Sequence, residues 1–202
     1  MMSLYSQYVV HIKAYGSSIE KTGTGFFLKN YLITAGHVAN GCSHIKFRFR
    51  EQLFELSCAE SLKYLDVSYG DMHQDGLDVA IFEFKDVESP FDLSEKRPQI
   101  GAVLEIISVK HIMKQVLPTG SIFPMMQDSY NHINCKAEIV GFLGKYLRCR
   151  TEESLEEGRS GCPCLVDNHV CAILHGGDGD ISHDCYFLES TFIKEVLNTI
   201  AG

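Results

Sequence analysis

Residues 158–163 read GRSGCP: Gly158, Arg159, Ser160, Gly161, Cys162, Pro163. Glycines on both sides of Ser160 free the backbone to turn tightly and bring successive N–H groups into a concave nest. A hydroxyl nucleophile with its own oxyanion hole needs that arrangement. Alone, the pattern GxSG is common, so its meaning depends on what stands upstream.

Two upstream segments give it meaning. Gly23–Val38, GTGFFLKNYLITAGHV, reads as a strand, a turn at Lys29–Asn30, a second strand and a small-residue corner at Thr34–Gly36. His37 follows that corner, at a strand end from which it can reach into a cleft. Gly76–Phe84, GLDVAIFEF, puts Asp78 at the mouth of a strongly apolar strand. Singly, His37 reads as a core-edge histidine and Asp78 as a strand-start residue. In the order His, Asp, Ser they match one of the chain orders in which a nucleophile, its base and an orienting carboxylate are found.

The surrounding chain is β-rich. Runs with alternating Val, Ile, Phe and Tyr lie at Tyr8–Tyr15, Gly25–Leu28, Tyr31–Thr34, His44–Arg50, Leu53–Cys58 and Val79–Phe84. A second set covers Ala102–Lys110, Ala137–Leu143, Lys145–Arg150, Cys164–Val166, Val170–Leu174 and Cys185–Leu188. Such alternation suits a pleated, half-buried surface, and many short strands predict a sandwich or barrel. Lys85–Gln99, with two prolines and many charges, reads as the connector between two β units. One helix closes the chain, with Ser190 or Thr191 as N-cap and Phe192, Val196 and Ile200 at helical spacing.

Composition narrows the function classes. The chain has 202 residues, enough for one large or two small domains, and a formal net charge of −8. Lys46, Arg48 and Arg50 alternate with apolar residues as the solvated face of a strand. An acidic chain without a basic stripe is a poor nucleic-acid ligand. No run approaches the roughly 18 apolar residues of a membrane span. The opening MMSLYSQYVVHIKAYG lacks a basic segment followed by a long apolar one, so it does not read as a secretory signal. The eight cysteines are therefore expected as reduced thiols, in a cytoplasmic setting.

The three segments together resemble the chymotrypsin-like serine peptidases. TAGHV is similar to their TAAHC-type histidine motif, DVAIFEF to their DIALL-type aspartate motif and GRSGCP to their GDSGGP-type serine motif. The resemblance runs over nearly the whole chain and is to the compact, trypsin-like domains of bacteria and viral polyproteins. It implies an all-β chain of two antiparallel six-stranded β-barrels with a C-terminal α-helix. Residues 1–90 would carry His37 and Asp78, and residues 91–202 would carry Ser160. Ser160 would be the nucleophile, His37 the general base and Asp78 the orienting carboxylate, with the backbone N–H groups of Gly158 and Ser160 as oxyanion hole. The partner implied is a peptide or protein substrate, with no cofactor or metal; the oligomeric state stays open. A catalytically silent peptide-binding domain on the same fold is the alternative.

Three departures from the family pattern matter. Arg159 stands where secreted relatives carry the aspartate that pairs with a freed N-terminus, so no such zymogen switch is expected; Glu152, Glu153, Glu156 and Glu157 are candidate partners for it. Val38 replaces a disulfide cysteine. Cys162 replaces a glycine and reads as a small buried hydrophobe. Cys162, Cys164, His169, Cys171, His175, His183 and Cys185 crowd the C-terminal third, but CPC is too short a step for a zinc knuckle. By the resemblance, Ser154 lies at the base of the specificity pocket, and Leu174, His175, Gly176 and Gly177 form the edge that pairs with substrate. His175 is a candidate for recognising an acidic or amide side chain, although it falls one position beyond the histidine that some relatives use, and one residue reverses the face of a strand.

Overall fold

Alternation along the first strands feeds two cores at once. The computed structural model describes residues 4–67, 76–85, 87–116, 125–152, 155–177 and 183–201. The first sheet is built from β1 (Val9–Tyr15), β2 (Glu20–Leu28), β3 (Tyr31–Ala35), β4 (His44–Phe49), β5 (Gln52–Ser57), β6 (Leu62–Asp66) and β7 (Val79–Glu83). One-turn helices α1 (Gly36–Ala39) and α2 (Cys58–Ser61) interrupt the meander. Phe26, Ile33 and Ile81 face a cluster shared with the second half of the molecule, whereas their neighbours Phe27, Leu32 and Phe82 face a cluster within the first sheet. Burial on both faces explains why these strands read as almost unbroken apolar runs.

The strand order is β5-β4-β1-β2-β3-β7-β6, all antiparallel. The sheet thus has seven strands where six were expected, and it is not closed by hydrogen bonds between its edges. The added strand is β6, in which half-buried and exposed residues alternate without strong apolar content. α2 links it directly to the opposite edge strand, β5.

The second half closes fully. β8 (Val103–Val116), β9 (Met125–Leu143), β10 (Tyr146–Thr151), β11 (Pro163–Val166), β12 (His169–Gly177) and β13 (Asp184–Glu189) form a six-stranded barrel in the order β10-β13-β12-β11-β8-β9. Ile106, Ile139, Leu147, Leu174 and Phe187 fill it together with Cys149, Cys162, Cys164, Cys171 and Cys185. β8 and β9 extend beyond the expected strands into a long hairpin paired from Val103–Glu138 to Val116–Met125. It reaches over β1, where His132 Nε2 lies 3.0 Å from the Val9 carbonyl. α3 (Ser190–Ala201) buries Ile193 and Val196 in the cluster between the two sheets.

The connector is packed, not loose. Phe91 stacks edge-on against Phe26 at 5.5 Å, and Ser89 Oγ donates to the Phe27 carbonyl at 2.5 Å. Leu93 pairs with Val170 of β12, and the Ser190 hydroxyl donates to the Ser94 carbonyl at 3.2 Å. The expected boundary at residue 90 falls inside this strap.

Candidate active site

Gly36 brings His37 and Asp78 together. β3 runs beside β7, pairing Ala35 with Val79. A Cβ on Gly36 would lie 1.9 Å from the Asp66 carbonyl oxygen and 2.9 Å from the Val79 amide. Only glycine lets the corner pass that close, and α1 then starts directly over Asp78. Asp78 adopts a left-handed conformation, φ 47°, which aspartate tolerates better than most residues. Its Oδ1 accepts the His37 backbone N–H at 2.8 Å, and its Oδ2 lies 2.8 Å from His37 Nδ1.

The Asp78 side chain is fully buried, while that of His37 is about a third exposed. Burial pushes the Asp78 carboxyl up, but hydrogen bonds from His175 and His37 outweigh it and hold the group below its ordinary value. An ionised carboxylate only accepts, so His37 carries its proton on Nδ1 and a neutral ring leaves the Nε2 lone pair free. That is the state of a general base.

The serine loop docks onto the same strand ends. The Thr24 amide donates to the Ser160 carbonyl at 2.8 Å, and the Thr24 hydroxyl donates to the Gly158 carbonyl at 2.8 Å. Gly161, φ 90°, lies so close that a Cβ there would sit 2.6 Å from the Ala35 amide, two residues before His37. On its other side the Gly161 amide donates to the Leu174 carbonyl of β12 at 2.7 Å. Among the described residues, the amides of Gly158 and Ser160 serve no internal acceptor.

Beside Ser160 lies a cavity of about 340 Å³ whose walls include Thr151, Arg159, Leu174, Gly176, Gly177 and His183. Ser154 lies outside the described residues. A larger cleft, about 590 Å³, between the connector and α3 touches none of the residues around Ser160. His175 departs from expectation: it does not line the cavity, and its Nδ1 hydrogen-bonds Asp78 Oδ2. The physical reason is a bulge, since β12 pairs Leu174 with Phe187 and then Gly176 with Tyr186, leaving His175 as the extra residue.

Among the described residues, Arg159 forms no ion pair with its candidate carboxylates, although its charge helps hold the Glu156 carboxyl below its ordinary value and Glu156 and Glu157 line the same cavity. Arg159 is 6% exposed and its Nη1 lies 3.5 Å from Cys135 Sγ, while Glu156 pairs with Lys110 at 2.6 Å. None of the eight cysteines is in a disulfide. Cys162, Cys164, Cys171 and Cys185 are wall material of the barrel core, and His169 points outward to the Asp167 carbonyl. Among the described residues, His37, Asp78 and His175 form a group whose ligating atoms fall within 4.8 Å of one another. The 2.8 Å from His37 Nδ1 to Asp78 is a hydrogen-bond distance. It is shorter than the about 3.3 Å between neighbouring ligands of tetrahedral zinc.

Residues missed by sequence reasoning are Thr24, Gly36 and His183. Thr24 and Gly36 sit inside the segment Gly23–Val38 already singled out; His183 was marked only as one of the crowded Cys and His residues, not as a wall of the cavity.

The overall structure is similar to those of several proteases. The Rv3671c protease from M. tuberculosis, active form, matches with a TM-score of 0.61 and 18% identity over 97% of this chain and 82% of that one. A serine endoprotease from Yersinia pestis gives 0.67 and 16% over 99% and 67%. The product complex of tobacco etch virus protease gives 0.63 and 14% over 97% and 79%. The chain has the chymotrypsin-like serine protease fold. A scabies mite inactivated protease paralogue shares this chymotrypsin-like fold, with a TM-score of 0.68 and 12% identity over 99% of this chain and 97% of that one. No family model and no curated protein matches the sequence.

Proposed function

We propose that the chain is a serine endopeptidase acting through an acyl-enzyme on Ser160. The observation that carries this reading is the His37–Asp78 pair: two 2.8 Å hydrogen bonds from one residue to a buried carboxylate, next to a glycine-flanked serine loop. Ser160 Oγ attacks the peptide carbonyl while His37 Nε2 takes its proton. The same nitrogen returns the proton to the leaving amine, and water then releases the acyl group by the reverse sequence. Asp78 holds the tautomer and stabilises the imidazolium. The amides of Gly158 and Ser160 receive the negative oxygen, where losing one donor typically costs about 2.7–4 kcal/mol. The 340 Å³ cavity takes the side chain before the scissile bond. Its lining is mixed, with Arg159 and His183 beside Glu156, Glu157 and Asp184, of which Glu156 and Asp184 are already paired with Lys110 and Arg148.

Because the fold also carries an inactivated paralogue, a silent peptide-binding domain is the second reading, and one experiment separates them. A fluorophosphonate should label the native protein and not Ser160→Ala, and His37→Ala should lose labelling while staying folded. Absence of labelling in the native protein, with peptide bound uncleaved along β12, overturns the peptidase reading. A reducing compartment is proposed alongside it, supported by eight cysteines that stand outside disulfides.

A further inference from the structure

The Asp78 carboxylate serves two imidazoles. Its Oδ1 takes the His37 amide, and its Oδ2 takes Nδ1 of both His37 and His175. Because the ionised carboxylate has no proton to give, each Nδ1 is the donor. The two rings meet edge-on, with centroids 5.7 Å apart and planes at 89°. Behind His175 stands Tyr146, 1% exposed, its ring 5.4 Å away and its hydroxyl donating to the Gly76 carbonyl at 3.2 Å. Gly76 lies two residues before Asp78, so the same tyrosine backs the histidine and tethers the segment that carries the aspartate. The ionisable side chains against His175 are thus Asp78, His37 and Tyr146. The β12 bulge exists at His175 and turns this ring away from the cavity side, where Leu174, Gly176 and Gly177 lie.

Resting on the peptidase reading, we propose that His175 is a positioning residue of the catalytic group: its Nδ1–H fixes the Asp78 carboxylate so that His37 is held in one tautomer and one orientation. Without His175, His37 alone would hold the carboxylate, through its amide and its ring, with nothing outside that residue to fix the pair. With Oδ2 clasped from two sides and Oδ1 tied to the backbone, rotation breaks three hydrogen bonds.

The test compares His175→Asn with His175→Leu. Asparagine places an N–H donor at nearly the reach of Nδ1, and leucine fills the space without one. His175→Leu should lower kcat roughly ten- to hundredfold, the loss of a hydrogen bond to a charged group, with KM within about twofold. His175→Asn should restore most of kcat. His175→Gln, a donor one bond too long, should behave as leucine does and replaces it should the leucine variant not fold. Unchanged kcat in both leucine and glutamine variants, or a rise in KM alone, overturns the proposal; the latter would make His175 a substrate contact. The native protein also carries a readout independent of catalysis. Nitrogen-15 spectra of the histidine rings should show protonated Nδ1 on both His37 and His175. Should the native protein resist fluorophosphonate, the peptidase reading fails and these spectra alone decide the His175 bond. A His175 protonated only on Nε2 sinks it.

Discussion

Thr24 holds the Gly158 carbonyl with its hydroxyl at 2.8 Å, a bond from the first sheet to the loop of the second. In Thr24→Val the shape is kept and this donor is lost, leaving a part-buried carbonyl unpaired. We expect about 1 kcal/mol of lost stability. The rate of Ser160 labelling should fall roughly tenfold if the Gly158 amide is one of the two oxyanion donors, as proposed. Labelling kinetics beside a urea titration check both, and an unchanged rate would remove Thr24 from the machinery.

Gly161→Ala should be far more damaging. Its φ is 90°, and a Cβ would meet the Thr24 carbonyl at 2.3 Å and the Thr34 hydroxyl at 2.4 Å. The expected loss is on the order of 3–5 kcal/mol. Gly176→Ala is the internal control: nothing lies within 4 Å of its Cβ position, and its stability should stay within about 0.5 kcal/mol of the parent.

Asp78 should show itself in acid. Its folded value lies below that of an ordinary carboxyl, burial opposing and the hydrogen bonds of His175 and His37 prevailing. A depressed carboxyl contributes stability that is present above the unfolded value and disappears as pH falls through the folded one. The urea midpoint of the native protein should therefore drop more steeply below about pH 4 than that of Asp78→Asn. At neutral pH, Asp78→Asn should lose roughly 10⁴-fold in kcat, since an amide in place of the carboxylate favours the wrong tautomer.

The thiols should divide into two groups. Cys149, Cys162, Cys164, Cys171 and Cys185 are buried, and burial pushes the Cys171 thiol up to about 12. A thiol reagent should find Cys42, Cys58 and Cys135 in the native state and the other five only on unfolding. Cys162→Ala should keep fluorophosphonate labelling, which separates this thiol from the nucleophile two residues away.

The motifs around His37, Asp78 and Ser160 were legible because each is local: a small-residue corner, an acid before an apolar strand, a glycine-flanked turn. The second barrel was legible in the alternation of its strands. β6 was not, because LKYLD has no apolar face strong enough to separate it from a loop. The long β8–β9 hairpin escaped because Asn131, His132 and Asn134 weaken the strand signal, and its pairing is decided across the hairpin. His175 was marked as functional, but its direction depends on a bulge, and a bulge is a property of two strands together. Ser154, proposed as the pocket base, lies outside the described residues.

Thr24 gives the molecule an accountability between its halves. The loop that would stabilise the reacting oxygen grows from the barrel but takes its shape from β2, in the other sheet. Neither half can be inherited, exchanged or shortened on its own terms. A hybrid joining this first sheet to another protein's barrel would have to match the shared core and would still lack a correctly set Gly158, unless the grafted loop met a hydroxyl where Thr24 stands.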